Sequence, residues 1–216
     1  VDGSSASTTN SSSAGGGGSG SDGGLLVIVP HGVWSARLRS LLSSHPHALV
    51  GEVGVDRAAV IPGSRARVRF DHQLALLREQ LALASELGRP ASVHCVRGYG
   101  HLLALFSALL VSGEGCPPAV MLHSYGGSPE EVGRFTRLPG IGRRFFFSFS
   151  SAINSRAPAK MAARIRAVPD DRLLVESDQV CCPGAGVRAV GPLEAVVALG
   201  ALGANCWRGC RWHRRQ

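Results

Sequence analysis

Four residues that could hold a hard divalent cation occur at or near the ends of four separate apolar runs. They are Glu52 in ALVGEVGVD, His94 in ASVHCVR, His123 in AVMLHS and Asp178 in RLLVESD. Carboxylate and imidazole delivered from rigid elements in different parts of a chain make a metal site, and a metal site activates water for hydrolysis. Each residue alone has a plainer reading. An acid inside a buried run is tolerated when it pairs with an arginine, and a strand histidine is more often a satisfied core residue than a ligand. Asp178 follows Glu176 at spacing two, which puts both carboxylates on one face of a strand. That arrangement implies either metal binding or one carboxyl with a raised pKa.

Groups around these four extend the chemistry. Arg97 stands three residues after His94 and suits an anionic phosphate or carboxylate, or pairs with an acid of the site. Ser124 and Ser128 lie in HSYGGS, a run of small residues that lets backbone approach a ligand. The helix expected after Ser128 would present N–H groups that favour a phosphate, although a well-capped loop explains the same residues. Asp56 reads as a loop-facing structural acid. Cys95 adjoins His94, but neighbours on a strand point to opposite faces, so it is expected behind the site rather than as a nucleophile.

The elements that must position these residues alternate. Strands are expected at Leu25–Val29, Ala48–Val55, Pro90–His94, Ala119–His123, Phe145–Phe149 and Arg172–Glu176. Helical periodicity covers Trp34–Ser44, Arg67–Leu87, Tyr99–Val111 and Ala157–Ala167. In the longest helix Val68, Phe70, Leu74, Leu77, Leu81 and Ala84 fall near a 3.6-residue period, and Gly88 and Pro90 stop it. Ser128-Pro129-Glu130-Glu131 is a capping box with its proline. Alternating strands and helices imply a parallel sheet. Ligand candidates after several different strands favour a barrel, whose chemistry sits at the carboxyl ends, over an open sheet with one switch crevice.

Composition bounds the partners. The 216 residues carry a formal charge of +8, and Lys160 is the sole lysine among 23 basic residues. The charge could favour a polyanion, and arginine bias in the coding sequence accounts for it equally. Residues 1–24 are almost all Ser, Gly, Thr, Ala and Asn and are expected to be a disordered leader. Residues 25–180 form the expected folded domain, and 181–216 a divergent tail rich in Arg, Cys and Trp. Six cysteines (Cys95, Cys116, Cys181, Cys182, Cys206, Cys210) follow no secreted spacing, so free thiols are expected. Cys206, Cys210 and His213 lack a second ligand pair for zinc. No run reaches the roughly 18 apolar residues of a membrane span, and no secretory signal is visible. These features imply an intracellular protein, cytoplasmic or nuclear, with no membrane association and no obligate protein partner.

The ordered series GEVGVD, DHQLALLREQLALASELGRP, SVHCVRG, LHSYGGS, FFFSFS and DRLLVESD resembles the TatD family of metal-dependent deoxyribonucleases. The DHQ helix, the FSFS strand and ESD in place of ETD are most similar to its fungal branch. The resemblance implies a (β/α)8 TIM-barrel-like fold of the metal-dependent hydrolase type, with one or two divalent cations (Mg, Mn or Zn) and DNA as substrate. It implies that Glu52, His94, His123 and Asp178 are metal ligands and that Asp178 also positions or deprotonates the attacking water. Arg97, Ser124 and Ser128 would contact substrate. The family opens with a strand carrying a His-x-His pair, which this chain lacks. His31, in VPHGVW, is out of register with a similar family segment and is not taken as a ligand. The barrel is therefore expected to be incomplete, with about six βα units and the first two strands missing. Two other readings stay open: a catalytically impaired barrel serving as a binding module, and a metal-dependent hydrolase of a small ester or amide.

Overall fold

A computed structural model describes residues 29–178. Five strands, β1 (Val50–Asp56), β2 (Ala91–Val96), β3 (Val120–Leu122), β4 (Phe145–Ser150) and β5 (Leu173–Glu176), form one sheet. Each strand pairs in parallel with the next, in the order β1-β2-β3-β4-β5. The connections are helical: α2 (Phe70–Glu86), α3 (Tyr99–Ser112), α4 (Pro129–Thr136), and the pair α5 (Ser151–Asn154) and α6 (Pro158–Ala167). A further helix, α1 (His31–Ser44), precedes β1. An order that advances without reversal is barrel winding, because a doubly wound sheet turns back at a switch point. The described residues thus form part of a parallel barrel of the TIM type.

The core lies between sheet and helices. In β4, Phe145, Phe147 and Phe149 are fully buried, and Phe106 and Phe135 meet Phe145 with ring centroids 4.9 and 5.1 Å apart. Burying each ring contributes about 1.5–3 kcal/mol. On the opposite face of β4, Ser148 and Ser150 are also buried. Small hydroxyls there leave room inside the barrel while the aromatic face anchors the strand.

Several expected boundaries move, each for a tertiary reason. The helix expected from Arg67 starts at Phe70 because Arg67 bridges antiparallel to Val60 and the Val68 N–H donates to the Ala59 carbonyl. Backbone pairing holds these residues extended against their helical period. Strand β2 does not stop at His94 but runs to Val96, which pairs with Asp56. Of the strand expected at Leu25–Val29, residues 25–28 lie outside the described residues, and Val29 is coil, half exposed. The expected leader, the tail and Cys181, Cys182, Cys206, Cys210 and His213 also lie outside them. Among the described residues no helix is long and apolar enough to cross a membrane.

Candidate functional site

Glu52 reaches the site through an irregularity in β1. Val50 pairs with Ala91 and Val53 with Val93, so three steps along β1 match two along β2. The extra residue is a bulge, which re-aims side chains and shifts the inward alternation. Val50 and Val55, five residues apart, are therefore both buried, while Glu52 is released from the core. At the far end of β1 the Gln73 side chain clamps Asp56, accepting from its N–H at 2.6 Å and donating to its carbonyl at 3.0 Å. This is the structural task of the DHQ segment, and nothing in the spacing of Gln73 identified it.

The four predicted donors come together in one run of contacts at the carboxyl end of the sheet. Glu52 Oε1 lies 2.9 Å from His94 Nδ1 and 3.8 Å from His123 Nε2. His123 Nε2 in turn lies 3.0 Å from Asp178 Oδ1, and Asp56 Oδ2 stands 3.9 Å from His94 Nε2. A cavity of about 310 Å³ opens over them, walled also by Arg97, Tyr99 and Ser124.

Beneath His123 lies a carboxylate whose role local spacing did not reveal. Glu176 Oε2 meets His123 Nδ1 at 2.7 Å. Its other oxygen, Oε1, accepts from the Ser124 N–H at 2.7 Å and the Ser148 hydroxyl at 2.5 Å, and lies 3.1 Å from the Ser124 hydroxyl oxygen. Burial pushes the Glu176 carboxyl up, but the bonds from His123, Ser148 and Ser124 more than offset this and hold it below the usual carboxylate range. A raised carboxyl at the Glu176–Asp178 pair, one of the two sequence expectations, is thus not what Glu176 shows. The same bond to Glu176, opposed by burial and helped by the charges of Glu176, Glu52 and Asp178, raises His123 to about 9.

The rim is unusual in its backbone. Arg97, Ser124 and Asp178 are the non-glycine residues with positive φ among the described residues, at 54°, 41° and 53°. Each follows a strand and each walls the cavity. Left-handed backbone at non-glycine residues costs of order 1 kcal/mol or more and tends to collect at functional sites. The HSYGGS loop is pinned rather than loose. The Tyr99 hydroxyl accepts from the Gly126 N–H, Arg164 donates to the Gly126 and Gly127 carbonyls, and Asn154 donates to the Tyr125 carbonyl. A Cβ on Gly127 would stand 2.4 Å from the Tyr125 hydroxyl oxygen, so only glycine admits this packing. Ser124 faces the site and donates to Asp178 Oδ2 at 3.2 Å. Ser128 is committed elsewhere: it forms the reciprocal capping box with Glu131, and its carbonyl accepts from Tyr125. Cys95 is buried, which pushes its thiol up to about 12 and removes it as a nucleophile. His31 pairs with Glu79 at 3.1 Å on the α1–α2 surface.

The donors fit a divalent cation in kind. Two imidazole nitrogens and two carboxylates suit a hard or borderline metal, and three carboxylates crowd the one imidazole of His123 with negative charge that a cation would offset. As the side chains stand they pair with one another, and among the described residues no three of them surround a single point.

The family model described as TatD related DNase matches residues 31–183. The chain is 31% identical over 188 residues to the Cut9-interacting protein scn1 of Schizosaccharomyces pombe, covering 69% of this chain and 56% of that protein. It is 30% identical to the 3′-5′ ssDNA/RNA exonuclease TatD of Cronobacter sakazakii, covering 67% of this chain and 49% of that one. The chain thus spans about half the length of these curated relatives. Among solved structures, a TatD homologue of Escherichia coli superimposes with a TM-score of 0.60 at 25% identity, over 81% of this chain and 63% of that one.

Proposed function

The chain belongs to the TatD-related DNase family, and from that premise we propose that it is a nuclease-type hydrolase that cleaves phosphodiester bonds of DNA with a divalent cation. The observation that carries this reading is the convergence of Glu52, His94, His123 and Asp178, from four different stretches of chain, beneath one cavity at the carboxyl end of the sheet. Those four side chains would hold a single Mg, Mn or Zn ion. When bound, such an ion supplies Lewis-acid chemistry, activating water and stabilising charge on the phosphoryl oxygens.

The chain's own residues divide the remaining work. Ser124 Oγ holds one oxygen of Asp178, orienting the carboxylate to accept the proton of an attacking water. Arg97, on the cavity wall, presents the guanidinium that suits a substrate phosphate. The left-handed backbone at both ends of this set keeps Arg97 and Asp178 turned toward the cavity. The excess of arginine would draw a polyanion toward it. DNA as substrate goes with an intracellular setting, in cytoplasm or nucleus.

A second reading, binding without turnover, is favoured by the pairing of the donors with each other rather than around one point. Release of nucleotides from single-stranded DNA, followed with added Mn²⁺ or Mg²⁺ and after chelation, separates the two. Hydrolysis is expected only with the ion, and His94→Ala and His123→Ala are each expected to lower it by about 100-fold or more. DNA and metal binding without hydrolysis would favour the second reading. Activity unchanged in both variants would refute the site.

A further inference from the structure

We infer that Glu176 is a positioning residue that fixes the tautomer of His123, so that Nδ1 carries the proton and Nε2 presents its lone pair to the cation site. This deepens the proposed function and rests on it for the identity of what Nε2 meets. The two oxygens of Glu176 face different partners. Oε1 is occupied by two donors, the Ser124 N–H and the Ser148 hydroxyl. Oε2 is left to His123 Nδ1 at 2.7 Å. A carboxylate held this way is ionised and accepts only. Nδ1 must therefore donate. The Asp178 carboxylate also faces the ring, at Nε2, but that contact is longer and its side chain more exposed (24% against 18%). A neutral ring thus keeps its proton on Nδ1 and leaves Nε2 bare. That nitrogen faces Asp178 Oδ1 at 3.0 Å and Glu52 Oε1 at 3.8 Å, where the proposed ligands converge.

The supports of Glu176 are themselves rigid. Ser148 is fully buried in β4, and its hydroxyl oxygen accepts from the Ser124 N–H at 3.1 Å, tying it to the residues that follow β3. Ser124 is buried and its N–H donates to Glu176 Oε1. Side-chain exposure is 11% for His123 and 18% for Glu176, so water competes weakly for their bond. Partners of this sort on metal-binding histidines orient the ring and raise its basicity, and losing one typically costs 10–100-fold in metal affinity.

Glu176→Gln isolates the effect with little change of shape. Oε1 can keep both its donors, but the amide then turns an N–H toward Nδ1, donor against donor. The ring is relieved only by moving its proton to Nε2, the nitrogen the cation needs. Two measurements on the full chain test this. Ring ¹⁵N shifts of the metal-free protein at pH 10, assigned with His123→Gln, should show protonated Nδ1 in the parent chain and protonated Nε2 in Glu176→Gln, with His94 unchanged. Zinc titration by calorimetry at pH 7.5 should show affinity 10–100-fold weaker in Glu176→Gln. Protonated Nε2 in the parent chain, or a tautomer unmoved by the substitution, overturns the inference. A parent chain that takes up no zinc overturns the cation reading instead, while the ring shifts still decide what Glu176 does to His123. Should Glu176→Gln fail to fold, the parent chain's ring shifts decide alone.

Discussion

Gly54→Ala tests how closely the site depends on the approach of β1 to β2. Gly54 pairs with His94, and its φ of +153° lies where side chains are disfavoured. An added Cβ would stand 2.0 Å from the His94 carbonyl oxygen, 2.7 Å from its carbon and 2.8 Å from its nitrogen. These are backbone atoms and cannot swing away. Since contacts under 3.0 Å are essentially never seen, the strands must part by about 1 Å. Overpacking of this kind costs about 1–3 kcal/mol, and the disfavoured backbone adds a further ~1–3 kcal/mol. The sum, ~2–6 kcal/mol, is a large share of the 5–15 kcal/mol typical of a folded domain. Glu52 lies two residues before Gly54, so the 2.9 Å contact between Glu52 and His94 should open as well. Urea denaturation followed by circular dichroism measures the loss, and zinc titration measures the damage to the site. Gly100→Ala is the control: a Cβ there meets nothing within 4 Å and sits in α3, so stability should change by less than about 0.5 kcal/mol or rise. A Gly54→Ala protein as stable as the parent chain would refute the close-approach argument.

Gln73→Ala should cost about 1–3 kcal/mol in the same denaturation assay, because it strands the Asp56 N–H and carbonyl that the amide now satisfies; a neutral result would mean that water replaces the clamp. Burial raises the thiols of Cys95, to about 12, and of Cys116, so neither should be alkylated by iodoacetamide at pH 8 until denaturant is added, as peptide mass mapping would show. The pH dependence of the metal-free chain follows from His123. Its folded pKa of about 9 lies above the ordinary 6.5, so its contribution is complete below about pH 6.5 and is lost as pH rises through 9. The loss is at most about 3 kcal/mol, and His123→Gln should flatten that part of the stability profile; a parent chain equally stable at pH 6.5 and 10 would contradict it.

Local chemistry made much of this molecule readable. The capping box at Ser128 and Glu131 stands as the residues spell it, since its bonds span three positions. Each periodic run became a helix of nearly the expected length, and the parallel sheet followed from alternation. The start of α2 departs from the helical period because the partners of Arg67 and Val68 are Val60 and Ala59, brought back by a turn that the period does not register. The barrel was legible, whereas the strand expected first, Leu25–Val29, falls almost wholly outside the described residues.

At the site, the sequence by itself determined which donor types are present and that they follow strands, because residue chemistry and strand periodicity are written locally. Only the tertiary structure decided how the donors meet. Glu52 reaches His94 through a bulge in register, a property of two strands together. Glu176 reaches His123, Ser124 and Ser148 from the far side of the chain, Ser124 being 52 residues away and Ser148 28. Contacts across a sheet depend on pairing and twist, which spacing within one segment does not encode. For that reason the ligand types were visible in the chain, while the carboxylate that orients one of them became visible only in the fold.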